Sequence, residues 1–524
     1  MPIDGSHLDE PAPPLHDLLA AGLSRAPEEA ALVSAERRMT WQELESRSAA
    51  LAAGYLGLGL QPGDRLASLM PNRLGLVVHY LACFKAGLVA TPLNYRYTFR
   101  EIDHALEVSG AAALLAHAER SEDLAASRLV PTLGAGTISY GRDPDSGGPS
   151  FEALMAADPP AAGLPAPEPT AAAAIFFTSG STGPAKGVTH TSESLRWMIA
   201  SAGAAFGLSA EDVFLPGSSM SHIGSFLWAL STLSVGGRVV VARSYDSHEL
   251  LPLLREHRPT VLAMIPAALA ALIRDHDLEP GDFASLRICR AGSDKVSTEL
   301  LTEFAARAGF PIDEGYGMTE VGLATLNPPS GVIKQGSIGP PIAGFSIEIR
   351  DEGGATLATE AVGRIWIRTR SRMAGYWEAP EATDEVVRDG WLDSGDLART
   401  DEDGYLWFFG RKKQVIVHDG SNISPLEVEG ALMEHPAVDL AGVVGVEDSV
   451  HGENVRAYVT LRPEAERPAS AELIVFTRER VGYKAPEEVV VLDEMPLNPT
   501  GKIDRTGLKR MAEDHLHPHG LEDR

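Results

Sequence analysis

Apolar and polar positions change period several times along this chain, and the changes mark out its layers. Residues 40–57 follow a helical spacing, while residues 65–70 and 111–116 are short apolar runs of strand length. Such alternation predicts α/β layering. After a Pro/Ala-rich connector at 159–170, residues 172–177 read as a strand running directly into a glycine- and hydroxyl-rich loop. A second set follows, with strands predicted at 238–242, 260–264 and 286–290 between helical stretches. From 336 to 407 the pattern turns to short β segments with Gly/Asp turns, as at 346–350 and 363–368. Beyond Gly410 lies a smaller unit with helices near 425–434 and 469–481 and strands near 441–446 and 455–461. No internal repeat interrupts this order. The expected fold is α/β: a large multi-layered N-terminal region with α/β subdomains and a β-rich segment, then a small mobile C-terminal α+β domain.

Length supports more than one domain, because 524 residues exceed what a single core usually organises. The formal charge of −27 argues against broad capture of nucleic acid or anionic membrane. Cys83 and Cys289, the only cysteines, form neither a disulfide framework nor a CxxC metal site. The start MPIDGSHLDEPAPP lacks the basic and apolar segments of a signal peptide. The apolar run at 74–93 is broken by His79, Lys85 and Gly87, a poor membrane span. A cytoplasmic protein without integral membrane association is expected; a homodimer is left open. The tail HLHPH at 515–519 reads as a solvated terminus rather than a metal site.

The loop TSGSTGPAKG spans 178–187. Glycines let backbone approach a ligand, hydroxyls and amides donate to anionic oxygens, and a lysine adds charge, so the natural ligand is a polyphosphate. A plain surface turn is the alternative. The pattern GxxxxGK[ST] is not met, because Gly187 follows Lys186, so a magnesium-binding hydroxyl must come from elsewhere or be replaced.

Further segments appear in order: GYGMTE at 315–320, WLDSGDL at 391–397, GRKKQ at 410–414 and PLNPTGKIDR at 496–505. With these motifs, and with KAGLVATPL at 85–93, the chain resembles the adenylate-forming superfamily of acyl- and aryl-CoA synthetases, adenylation domains of nonribosomal peptide synthetases and firefly luciferase. The resemblance covers nearly the whole sequence. It implies a two-step ligase: a carboxylate attacks the α-phosphorus of ATP and releases pyrophosphate, then a thiol attacks the acyl-adenylate and releases AMP. ATP, Mg2+ and coenzyme A as co-substrate are the implied reactants.

Residue roles follow from the resemblance. Thr178, Ser179, Gly180, Ser181, Thr182, Gly183 and Lys186 would wrap the β- and γ-phosphates. Thr319 would contact the α-phosphate, and Glu320 would help hold magnesium, a hard cation that prefers oxygen. Asp396 would accept hydrogen bonds from the ribose hydroxyls, with Arg411 a second ribose or phosphate contact. Gly315, Tyr316 and Gly317 would border the nucleotide, Tyr316 stacking on adenine; Gly292 and Ser293 would line the adenine and acyl sites. Lys502 would bridge the attacking carboxylate and the phosphate as charge builds. The implied domains are residues 1–410 for ATP and acid, 411–414 as a hinge pivoting at Lys413, and 415–524 carrying the catalytic lysine.

For the second step, rotation would bring up Asp419, Gly420, Ser421 and Asn422 to flank CoA. The family more often has GGEN there, so Asp419 adds a side chain and a charge where backbone closeness matters. For the acid, the segment PGSSMSHIGSF at 216–226 lacks the aspartate that amino-acid-activating relatives use to pair with an ammonium. A fatty, alicyclic or aryl acid is expected instead, with His222 beside its carbonyl and Ile223, Gly224, Phe226, Gly317 and Leu323 as pocket walls. Two other readings stay open: transfer to a carrier-protein thiol or an amine, and a silent acyl- or nucleotide-binding protein. The retained Lys502, Glu320 and Asp396 count against the last.

Overall fold

The computed structural model describes residues 3–4, 7–141, 148–158, 163–164, 166–178, 185–244, 246–279, 281–292, 296–418, 421–448, 452–463, 465–498 and 501–516. Local signals in the sequence set the first elements. Thr40 and Glu43 cap the Trp41–Gly57 helix reciprocally, the Glu43 N–H donating to Oγ1 at 3.1 Å and the Thr40 N–H donating to Oε2 at 2.9 Å. The expected strand at 111–116 begins instead at Ala113, because residues 110 and 111 close the preceding Phe99–Ser109 helix. Gly110 takes φ 57° and the Ala111 N–H returns to the Leu106 carbonyl. The Leu74–Ala86 helix is buried on every side from Gly75 onward and stops at Gly87 with φ 71°. It is therefore a core helix, and among the described residues no helix is long and apolar enough to cross a membrane.

Two sheets with parallel cores carry the large N-terminal part. In the first, Val89–Pro92, Arg65–Leu69, Ala113–His117 and Thr137–Tyr140 run parallel beside Ala172–Phe177; Gly187–Thr191 and then Gly375–Tyr376 are added antiparallel. In the second, the order is Ile288–Ala291, Val261–Met264, Val213–Gly217, Arg238–Val240, Ala30–Val33 and Arg38–Thr40, with only the last pair antiparallel. Trp197, Met198 and Met264 are buried in the core of this part. The β-rich stretch is an antiparallel sheet of Phe345–Arg350, Gly363–Thr369, Trp391–Thr400 and Leu406–Arg411 with shorter edge strands.

The small C-terminal domain has its own core around Ile416, Val428, Val443 and Val459. Its sheet pairs Ile416–His418 with Ser421–Ile423 and with the Gly452–Leu461 strand, which also pairs with Val438–Asp448. The turn Lys412–Gln414 joins this sheet to the Leu406–Arg411 strand of the large part. Across the interface, Arg462 grips Glu299 with both ends of its guanidinium, at 2.8 and 2.5 Å.

Candidate active site

A cleft of about 2640 Å³ opens where strands of both parallel sheets end and the small domain docks. Thr178, Ser218, Ile265, Arg290 and Ala291 reach it from those strand ends. Open α/β sheets characteristically bind ligands at such carboxyl ends. The hairpin Gly315–Met318 and Gly322–Leu326 forms one wall, bulged between Tyr316 and Gly317. A Cβ on Gly317 would stand 2.4 Å from the Gly322 carbonyl oxygen, so the corner admits only glycine. Gly317→Ala is expected to cost about 1–3 kcal/mol, read as a loss in the denaturant midpoint; an unchanged midpoint would mean the corner yields freely.

Next to that bulge, Asp396 is 3% exposed. Its Oδ2 accepts from the Tyr316 hydroxyl at 2.6 Å and its Oδ1 from Arg411 Nε at 3.2 Å. Burial raises its pKa, opposed by the Arg411 and Lys502 charges. Tyr316 also lies 5.8 Å from the Phe408 ring, centroid to centroid. The carboxylate is thus fixed in orientation at the cleft wall, a fit for paired ribose hydroxyls.

Glu320 is 6% exposed and has no ion pair among the described residues. Its Oε1 accepts from the Tyr376 hydroxyl at 2.9 Å, and burial raises its pKa. A buried carboxylate with no cation in contact suits a divalent ion, and no cluster of three His, Cys, Asp or Glu capable of holding metal occurs among the described residues. Glu320 would be the residue to hold Mg2+, whose charge would offset that of phosphate.

Two residues that sequence reasoning passed over support this corner. Tyr376 links Glu320 to Lys186, whose ammonium lies 4.9 Å from its ring centroid. His190 is wholly buried, and its Nε2–H donates to the Thr319 carbonyl at 2.8 Å. Burial pushes its pKa down to about 4, so it remains a neutral prop. Neither is marked by a local motif: sheet pairing brings Tyr376 beside Val188.

His222 precedes the Ile223–Ser234 helix without capping it through its side chain, and its ring faces the cleft. Burial and the nearby Lys502 charge push its pKa down to about 4. Lys502 enters from the small domain, where Asn498 Oδ1 accepts its backbone N–H at 3.1 Å. Ile223, Gly224 and Leu323 also border the cleft, but two expected wall residues do not. Phe226 is 1% exposed and packs against Tyr80 and Phe176 with ring centroids 5.0 Å away, because its helix face turns to the core. Gly292 lies beneath the Arg290 guanidinium, which takes its place at the wall.

Thr178 and Lys186 frame the glycine-rich loop, the Thr178 N–H donating to the Lys186 carbonyl at 3.2 Å. Ser179, Gly180, Ser181, Thr182 and Gly183 lie outside the described residues, as do Ser293, Asp419, Gly420 and His517–His519 of the tail. Ser421 and Asn422 belong to a strand of the small domain in register with His418 and Val417.

Asp313, 2% exposed behind the cleft, has its pKa raised by burial to about 7 despite the Arg290 and Arg287 charges. The folded state holds this proton well above the ordinary 3.8, so between those values the group lowers stability as pH rises. Asp313→Asn is expected to gain on the native protein in melting temperature from pH 4 to 7, by roughly 1–3 kcal/mol in stability. Parallel melting curves across that range would remove the argument.

The buried carboxylates of Asp396 and Glu320, the two ends of the glycine-rich loop at Thr178 and Lys186, and Lys502 of the small domain thus border one cleft. The profile of the AMP-binding enzyme family matches residues 19–377, and that of the AMP-binding enzyme C-terminal domain matches 427–502. The chain belongs to this adenylate-forming family, as an acid–thiol ligase of the AMP-forming acyl-CoA synthetase type, whose reactants are ATP with Mg2+ and CoA. It is 34% identical over 479 residues to a feruloyl-CoA synthase from Amycolatopsis, covering 90% of this chain and 94% of that protein. It is 32% identical over 488 residues to the fatty acid–[acyl-carrier-protein] ligase ScoC of Streptomyces coeruleorubidus, covering 90% and 91%. Among solved structures, ATP-bound MatB from Rhodopseudomonas palustris superposes with a TM-score of 0.87 at 28% identity, over 95% of this chain and 99% of that one.

Proposed function

We propose that this protein joins an apolar or aryl carboxylic acid to CoA in two steps at the cleft. The observation that carries the reading is the meeting of Lys502 from the small domain with His222 and Asp396 from the large one. In the first step a carboxylate oxygen bonds to the α-phosphorus of ATP and the bond to pyrophosphate breaks. Two anions must approach, so the Lys502 ammonium between them lowers the barrier. Asp396 orients the ribose, the Thr319 corner faces the α-phosphate, and a neutral His222 borders the acyl carbonyl without adding charge.

In the second step the thiolate displaces AMP, and Lys502 is no longer needed. Rotation at Lys413 supplies the change of face, since the Lys412–Gln414 turn, with both lysines exposed, is a covalent link between the two sheets. The segment 216–226 offers no carboxylate for an ammonium, which supports an acid without an α-amino group. Asp419 and the similarity to ScoC favour a second reading, transfer to a carrier-protein thiol.

Mass-spectrometric product analysis with ATP, Mg2+, CoA and a panel of fatty, alicyclic and aryl acids tests this. Acyl-CoA together with AMP is expected. Acyl-AMP without thioester would redirect the second step to the carrier thiol, and no AMP with any acid would remove the ligase reading.

A further inference from the structure

One charged side chain in the cleft is not used by the chemistry above. Arg290 is the penultimate residue of an otherwise apolar strand, Ile288–Ala291, and lines the cleft. Its carbon lies 5.8 Å from the centroid of the Trp228 ring. Of its five N–H donors, one reaches the Gly315 carbonyl, at 3.3 Å, while the buried Nε has no acceptor among the described residues. No carboxylate among them comes within ion-pair distance; Asp313 acts on it only through its field. Burial lowers its pKa to about 10, which leaves it a cation at neutral pH. A half-buried cation whose Nε is shut off from solvent without an acceptor is costly to keep unless something completes it.

Its place relative to the reacting end says what that partner is. His222 stands at the N-cap of the Ile223–Ser234 helix, and Trp228 lies six residues further along. At 1.5 Å per residue the separation is roughly 9 Å along the helix axis. Between them Gly224 faces the cleft, and a Cβ there would meet nothing within 4 Å, so the channel stays open. His222, Lys502, Gly224, Trp228 and Arg290 all border this one cleft, so an acid held by its carboxylate at His222 and Lys502 and extended along the Gly224 and Trp228 wall meets Arg290.

Resting on the proposed ligase reading, we infer that Arg290 is a specificity-determining residue that accepts acids bearing a hydrogen-bond-accepting oxygen at the end remote from the reacting carboxylate. The oxygen belongs to a phenol or to a second carboxylate, which share this chemistry. A site built to bind such a group discriminates strongly against the analogue without it, because the donor is otherwise left unpaired.

The test uses two matched pairs: cinnamic against 4-hydroxycinnamic acid, and octanoic against octanedioic acid. Pyrophosphate release is followed with the native protein, Arg290→Met and Arg290→Lys. The native protein is expected to prefer the oxygen-bearing member of one pair by about tenfold or more in kcat/KM, mostly through KM; which pair responds identifies phenol or carboxylate. Arg290→Met should lose that preference, the gap in kcat/KM between the two members closing, while Arg290→Lys keeps part of it. No preference in either pair, survival of the preference in Arg290→Met, or equal loss on both members would overturn the inference. Calorimetric Kd values for the same acids provide a readout independent of turnover. Absence of pyrophosphate release with a clear Arg290-dependent binding preference would thus count against the ligase reading and for this one.

Discussion

Lys502→Ala is expected to slow acyl-adenylate formation by about 10²–10³-fold, the usual cost of removing one preorganised electrostatic contact. Thioester formation from supplied acyl-AMP should stay within a few-fold of the native rate. The asymmetry follows from where the charge is needed. The ammonium enters from the small domain and its field is felt at His222 and Asp396. That is where a carboxylate and a phosphate must meet in the first step, and where neither attacks in the second. Single-turnover measurements of each half-reaction decide the matter, and an equal loss in both would place Lys502 in the general architecture instead.

Glu320→Gln is expected to have opposite effects on activity and stability. Burial has raised the carboxylate's pKa, so its charged form is held in the fold at a cost that the amide avoids. The amide oxygen can still accept from the Tyr376 hydroxyl. Melting temperature should therefore rise or hold, while adenylation falls by about 100-fold and needs more Mg2+, for want of a charged oxygen at the metal. A variant with native Mg2+ dependence would show that the ion is held without Glu320.

The site was readable in the sequence wherever a role is carried by a contiguous motif. Lys502, Asp396 and Thr319, each named from such a motif, all border the one cleft. The helix at 40–57 was legible because its cap is local, with Thr40 and Glu43 three residues apart. What escaped depends on which face an element turns inward. Phe226 shares an apolar helix with Leu227 and Trp228, yet a helix advances about 100° per residue, so adjacent apolar residues serve core and cleft in turn. His190 and Tyr376 serve the site through side-chain hydrogen bonds across 129 and 56 residues, which no spacing rule anticipates. Arg290 did leave a sign, a charge at the end of an apolar strand leading into glycine, whose meaning emerges only with Trp228 beside it.

The most direct test of acid activation is the fate of oxygen. With a carboxylic acid labelled by 18O in its carboxyl group, attack of that oxygen on the α-phosphorus followed by acyl transfer must leave one labelled atom in AMP. Mass spectrometry of the released AMP is predicted to find it. Unlabelled AMP, or label in inorganic phosphate with ADP as the nucleotide product, would contradict an acyl-adenylate and with it the roles assigned to Lys502, Thr319 and Asp396.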